Sequence, residues 1–321
     1  MVSLVCSIDT AHEDIVHDAE IDYYGLQLAT CSSDNMVKIF GIKNSTQTLV
    51  ADLKGHYGPV WQVSWAHPKF GNIIASCSYD RKVIIWKENQ EWTKIYEYSN
   101  HDASVNSVKF GPHEYGLILA CGSSDGAFSI ISLNQTTGSW EFKKKMNAHA
   151  IGCNALSWCP DGKGPKRIVT GGCDSLVRVW EEGPNGWDEK AKLDHHSDWV
   201  RDVAWAPGIT SNHTTIASCS QDRRVIIWTC STGNNPSNFV PHILHTFDDA
   251  IWNLSWSITG NILAVSGGDN KVTLWKENSE RHWTCISDVN KLFLVKSHQV
   301  VLLEYPTFVT TVIFTLYFQY D

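Results

Sequence analysis

Apolar positions in this chain recur with two periods at once. Within short runs they alternate with polar ones, as in Val60–Trp65 (VWQVSW) and Val200–Trp205 (VRDVAW). A two-residue period is that of a strand with one buried face. Between runs the whole pattern returns. Ile73–Trp86 (IIASCSYDRKVIIW) reads as a strand, a tight turn at Asp80 and a second strand, and Ile216–Trp228 (IASCSQDRRVIIW) repeats it closely. Looser copies lie at Leu28–Phe40, Leu119–Ile131, Ile168–Trp180 and Leu263–Trp275. The turn aspartates Asp34, Asp80, Asp125, Asp174, Asp222 and Asp269 are 46, 45, 49, 48 and 47 residues apart. A period of that size means a repeat architecture.

Each unit runs as a His, an alternating strand, a loop, a strand, the Asp turn, a strand and a variable outer strand. From turn Asp to closing residue is always six positions: Phe40, Trp86, Ile131, Trp180, Trp228 and Trp275. Four short strands per unit, arranged radially, predict an all-β fold, a β-propeller of six blades. Outer strands are expected at Thr48–Leu53, Trp92–Tyr98, Trp140–Met146, Trp187–Leu193, Ile243–Phe247 and Trp283–Val289. Val2–Ile8 (VSLVCSI) then occupies the place before His12 where a propeller normally closes its last blade. One strand is surplus. Either it displaces Trp283–Val289 or it begins a seventh blade.

The units resemble WD repeats, whose blades link a His, a Ser or Thr, the turn Asp and a closing Trp. The set is complete as His56, Ser76, Asp80 and Trp86, as His149, Thr170, Asp174 and Trp180, and as His196, Ser218, Asp222 and Trp228. Such a His is expected to receive the indole N–H and pass a donor to Asp or Ser, so that no buried polar group is left over. Phe40 in the first unit, Cys121 and Ile131 in the third and Val265 in the sixth predict broken chains there. The dipeptide that names the repeat is absent, because Lys, Glu, Thr and Lys follow Trp86, Trp180, Trp228 and Trp275.

Composition narrows the function. The chain has 321 residues, 43% hydrophobic and 19% charged, with net charge −8, which argues against nucleic acid as the direct ligand. Ten cysteines contain no C-x-x-C pair. Cys31, Cys77 and Cys219, each three residues before a turn Asp, read as small buried thiols of a reducing compartment. The N-terminus lacks a basic n-region, so no signal peptide is expected. No phosphate loop, nucleophile elbow or zincin motif is present. Asp and His recur in every blade, whereas a catalytic constellation occurs once. No catalytic residue, cofactor or metal site is expected, and the central channel is expected to hold no unique polar cluster. His195 beside His196 is not a metal pair, since adjacent strand residues point to opposite faces. Lys143–Lys145 reads as a solvated edge of an outer strand, with a minor contact to an acidic partner as the alternative.

Across residues 1–290 the chain resembles the small WD-repeat subunit of the COPII outer coat, a protein type shared with the Y-shaped nuclear pore subcomplex. HEDIVHDAEIDYYG, CSYDRKVIIWKE and HSDWVRDVAWAP carry the resemblance. It implies an open six-bladed propeller whose seventh blade is inserted by an α-solenoid partner, by β-augmentation. It also implies a non-catalytic scaffold in large hetero-oligomers, peripheral on the cytoplasmic side of the endoplasmic reticulum and COPII vesicles, and at the nuclear pore. A lysosomal amino-acid-sensing complex is a further implied setting. The insertion edges are then expected at Val2, Leu4, Val5, Ile8, Trp283, Cys285 and Ile286. The competing class is a WD-repeat adaptor that reads a short peptide across its top face.

Residues 291–321 (KLFLVKSHQVVLLEYPTFVTTVIFTLYFQYD) differ from all of this. Three readings apply to this atypical hydrophobic tail. A membrane span is disfavoured, since the uninterrupted run Thr307–Phe318 is about half of the ~20 residues needed. Strands at Val300–Glu304 and Val309–Tyr317 could fill the open blade in cis. The preferred reading is a loosely attached end with an aggregation hazard.

Overall fold

A computed structural model describes residues 3–43, 46–162, 164–208, 213–231, 238–269, 271–278, 282–289, 299–304 and 311–314. Strand β1 (Ser3–Asp9) precedes six four-stranded antiparallel sheets that follow one another along the chain. Blade 1 is β2 (Val16–Ile21), β3 (Gln27–Ser32), β4 (Met36–Lys43) and β5 (Thr46–Lys54). Blade 2 is β6 (Val60–Trp65), β7 (Ile73–Ser78), β8 (Val83–Asn89) and β9 (Glu91–Tyr98). Blade 3 is β10 (Val105–Phe110), β11 (Ile118–Ser123), β12 (Phe128–Leu133) and β13 (Trp140–Lys145). Blade 4 is β14 (Cys153–Trp158), β15 (Arg167–Gly172), β16 (Leu176–Gly183) and β17 (Gly186–Asp194). Blade 5 is β18 (Val200–Trp205), β19 (His213–Ser220), β20 (Arg224–Ser231) and β21 (Val240–Thr246). Blade 6 is β22 (Ile251–Trp256), β23 (Ile262–Gly267), β24 (Val272–Glu277) and β25 (Trp283–Val289).

The first strand of each blade lies innermost. β2, β6, β10, β14, β18 and β22 pack in that order, each on the next. No comparable packing joins β22 back to β2 among the described residues. The core is a series of layers between neighbouring sheets. Ala29, Val37 and Ile39 of blade 1 meet Val63, Ile74 and Ile84 of blade 2, and the same two-sided packing recurs through blade 6. Middle strands face a layer on each side, which is why β7 and β11 are buried along their whole length. Indoles tie blades together, with Nε1 of Trp65, Trp158 and Trp256 donating to the carbonyls of Glu20, Lys109 and Ala204 at 2.9, 2.9 and 3.1 Å.

The Asp turns share one geometry. The residue after the aspartate is left-handed at Asn35, Arg81, Gly126, Ser175 and Arg223, with φ from 61° to 80°. The carboxylate accepts the amide two residues on, from Met36, Lys82, Ala127, Leu176, Arg224 and Lys271, at 2.9–3.3 Å. Aspartate suits this position because its short side chain closes the turn while its second oxygen stays free.

A seventh sheet resolves the surplus strand. β25 completes blade 6 by pairing with β24. β1 belongs elsewhere, in a three-stranded antiparallel sheet ordered β1-β26-β27, where β26 is Gln299–Glu304 and β27 is Thr311–Phe314. β27 packs against β2, on the flank of blade 1. β26 ladders onto the N-terminal strand, and β27 ladders onto β26. Among the described residues no helix is long and apolar enough to cross a membrane.

Candidate functional site

Three constellations compete as functional sites, and the blade tetrads come first. His56 Nδ1 lies 2.9 Å from Asp80 Oδ2, His56 Nε2 2.8 Å from Ser76 Oγ, and Trp86 Nε1 donates to that same Oγ at 2.9 Å. His149, Asp174, Thr170 and Trp180 repeat it at 2.8, 2.8 and 2.9 Å. His196, Asp222, Ser218 and Trp228 do so at 2.9, 2.8 and 2.8 Å. The order corrects the expected one. The indole donates to the hydroxyl, not to the imidazole. The hydroxyl oxygen accepts that proton and spends its own hydrogen on Nε2, so Nδ1 carries the ring proton and donates to the carboxylate.

One of the chains expected to be broken is rebuilt, and a second recovers its indole bond. In blade 3, Ser129 Oγ stands 3.0 Å from His101 Nε2 and 2.7 Å from Tyr98 Oη, and His101 Nδ1 is 2.9 Å from Asp125. Ser129 is the ladder partner of Cys121, whose slot lacks the hydroxyl. In blade 6, Thr273 is the ladder partner of Val265 and accepts from Trp275 Nε1 at 2.9 Å. In blade 1, His12 keeps Asp34 at 2.7 Å and Thr30 at 2.9 Å, while Phe40 buries its ring without a polar link. Lys144 is not a solvated edge, for its Nζ is 3.0 Å from Asp125 Oδ2. Burial pushes the turn carboxyls up, but the His bonds and turn amides outweigh it and hold Asp34, Asp80 and Asp174 below the usual carboxylate range. Asp125 and Asp222 are held well below it. Burial lowers His12 and His101 despite their aspartates.

The second constellation lies in the central channel, where the sequence promised nothing. Lys109 Nζ is 3.2 Å from Glu20 Oε2, and Asp18 and Asp202 line the same cavity of about 500 Å³. Burial pushes Asp18 up to about 6 and Asp202 up to about 7, against the pull of Lys109. Each carboxylate is also a staple. Asp18 accepts the Val63 amide of the next blade at 3.2 Å, and Asp202 accepts the Leu254 amide at 2.8 Å. Gln62 does the same for Val108 at 2.9 Å. The signal was present as an acidic residue at one register position of the inner strand, but only closure of the ring brings Asp18, Lys109 and Asp202 together.

The third lies at the channel mouth. Every inner strand has a bulge one residue after its start, at His17, Trp61, Asn106, Asn154, Arg201 and Trp252. These six residues line one cavity of about 600 Å³, rimmed by Ile15, Ile151 and Trp199. A bulge re-aims a side chain out of the ladder. The residue before each bulge stays Val, Ile or Cys from blade to blade while the bulge residue itself changes type. The Arg201 guanidinium lies between the rings of Trp199 and Trp252, 5.1 and 4.7 Å from their centroids. Trp199 is 42% exposed and Ile151 62%.

The remaining sequence-chosen residues fall as follows. Val2 lies outside the described residues. Leu4 pairs with Leu303, Val5 is the extra residue of a bulge in β1, and Ile8 is fully buried against Val16, Leu28 and Phe40. Trp283 turns to the blade 5 side, where it packs against Trp256 at 5.7 Å, so it does not line the seam. Ile286 is the bulge residue of β25, and Cys285 is exposed. Among the described residues no group of three or more His, Cys, Asp or Glu is placed to hold a metal.

The model of the WD domain, G-beta repeat, matches residues 4–41, 47–87, 92–132, 140–181, 187–229 and 241–276. Each match spans one outer strand and the three strands that follow it, so the first takes in β1. The chain is 58% identical over 304 residues to "Protein SEC13 homolog" of Drosophila melanogaster, covering 89% of this chain and 84% of that protein. It is 59% identical over 307 residues to "Protein SEC13 homolog" of Homo sapiens, covering 91% and 95%. "Protein transport protein sec13" of Emericella nidulans is 47% identical over 307 residues, covering 88% and 97%. Repeats, blade geometry and relatives agree, and the chain belongs to the WD-repeat family and, within it, to the Sec13 homologues.

Proposed function

We propose that this chain is a non-catalytic scaffold subunit of a COPII-type outer coat in transport from the endoplasmic reticulum to the Golgi. The observation that carries the reading is identity of 47–59% over about nine-tenths of the chain to Sec13 proteins, one of them named for protein transport. The mechanism is mechanical. An α-solenoid subunit docks at the seventh-blade position between blades 6 and 1, and the propeller stiffens the solenoid there, so that a polymerised lattice resists membrane bending. Main-chain ladders give such a contact affinity and side-chain pockets give it specificity. The same surface would serve the nuclear pore Y-complex and an amino-acid-sensing complex at the lysosome. Affinity capture from cytosol with mass spectrometry tests the reading. A stoichiometric α-solenoid partner is the expected result, and recovery of the propeller alone overturns it. Val5→Asp in β1 should weaken that complex more than it lowers the unfolding midpoint, and equal loss of both would argue against docking at the seam.

A second reading has an observation of its own. The bulge ring of His17, Trp61, Arg201 and Trp252 at the channel mouth is a concave, aromatic surface of the kind that holds a short peptide. Under this adaptor reading Trp199→Ala abolishes capture of a transient partner and leaves the solenoid complex intact. Loss of the solenoid complex in that variant counts against it.

A further inference from the structure

The seventh sheet is built from both ends of this chain, and it stands where the scaffold reading puts a partner. β1 ladders with β26 from Ser3↔Glu304 to Asp9↔Gln299, and β26 continues into β27 through Val301↔Phe314 to Glu304↔Thr311. Side chains on the two flanks of the gap give a separate indication. Strand alternation turns Leu263, Val265 and Trp275 of blade 6 toward blade 5, so Ile262, Ala264 and Leu274 face the seam. They are only 5%, 1% and 4% exposed. On the other flank Leu28 and Phe40 of blade 1 are 0% and 5% exposed, with Ile8 packed on them. With nothing between blades 6 and 1, both flanks would face water.

We infer that Gln299–Glu304 and Thr311–Phe314 are a built-in occupant of the seventh-blade position, which competes with the strands a partner would lay there. The inference rests on the scaffold reading and assigns that site a regulator carried by the same chain. The β1 edge that pairs with β26 can hold one ladder partner at a time. An α-solenoid subunit must therefore displace the tail, and its apparent affinity falls by the fraction of time the edge is free.

The register supplies the test. Leu302 stands opposite Cys6, and directly opposed strand residues are close enough to be bridged. Leu302→Cys is made in a Cys285→Ser background, which removes the exposed thiol. It is compared oxidised and reduced, alongside a chain ending at residue 290, with a recombinant α-solenoid coat subunit as probe. The cross-link is expected to form. The locked chain should bind the subunit at least about tenfold more weakly than its reduced form, and the shortened chain about tenfold more tightly, as expected for an edge free less than about a tenth of the time. Because the locked and reduced forms are one polypeptide, the comparison survives even where the shortened chain fails to fold. Failure of the cross-link, or equal binding by locked and reduced chains, overturns the inference. A cross-link with no binding by any form overturns the scaffold reading instead.

Discussion

Ser76 holds two partners with one oxygen, receiving from Trp86 Nε1 and donating to His56 Nε2, and it is fully buried. Ser76→Ala leaves both partners unpaired, at about 1–3 kcal/mol each. Urea unfolding should show a loss of about 2–4 kcal/mol for Ser76→Ala, at the upper end of the usual range for a point change. Ser129→Ala should cost as much, because Ser129 does the same work for His101 and Tyr98. A neutral Ser129→Ala would mean that the rebuilt chain in blade 3 carries no stability. The channel carboxylates behave in the opposite sense. Burial raises Asp202 to about 7, so its ionised form opposes folding at neutral pH. Asp202→Asn keeps an oxygen for the Leu254 amide and removes the charge. Since the group faces channel water, the gain at pH 7 should be about 1–2 kcal/mol, less than the full shift would give. It should shrink as pH falls and be lost by about pH 3, where the acid is mostly protonated in both states. A gain that persists at about pH 3 would point to packing rather than charge.

Strand geometry decided what could be read from the sequence and what could not. His, hydroxyl, Asp and Trp slots have fixed spacing, so they were legible at Ser76, Thr170 and Ser218. Ser129 and Thr273 were not, because each sits on the neighbouring strand, and only the ladder puts it opposite Cys121 or Val265. A side chain directly across an antiparallel pair shares its face and lies about 5 Å away, near enough to take over a hydrogen bond. The bulge ring was hidden for a related reason. Alternation assigns Trp61 and Arg201 to a strand face, and the extra residue at each bulge turns them into the channel mouth instead. An exchange across one ladder tests this account. Thr273→Val removes the acceptor of the Trp275 indole and should cost about 1–3 kcal/mol. Adding Val265→Thr puts a hydroxyl back in the repeat's own slot and should restore most of that loss. Additive destabilisation in the double variant would show that the two positions are not interchangeable.

At the scale of the whole propeller these groups combine into a pH response with opposing parts. Asp34, Asp80, Asp125, Asp174 and Asp222 are held below their unfolded value of 3.8. Their contribution is complete above that value and is lost as pH falls toward their folded values. His12 and His101 sit below 6.5, and burial takes His17 down to about 4. The unfolded chain therefore takes up their protons first, and stability falls as pH drops below 6.5. Asp18 and Asp202 act the other way, since between 3.8 and about 6 or 7 the folded chain holds the extra protons. Their contribution grows as pH falls through that window. Two channel carboxylates thus offset the histidines between about pH 7 and 5, and nothing offsets the five turn aspartates below 4. The unfolding midpoint in urea should be nearly flat from pH 7 to 5 and then fall steeply as the turn carboxylates protonate. In the double variant Asp18→Asn and Asp202→Asn the plateau should tilt, with stability rising from pH 5 to 7, while the steep acid limb stays in place. An unchanged plateau in that variant would remove the channel from the pH response and leave the histidines and turn aspartates as its source.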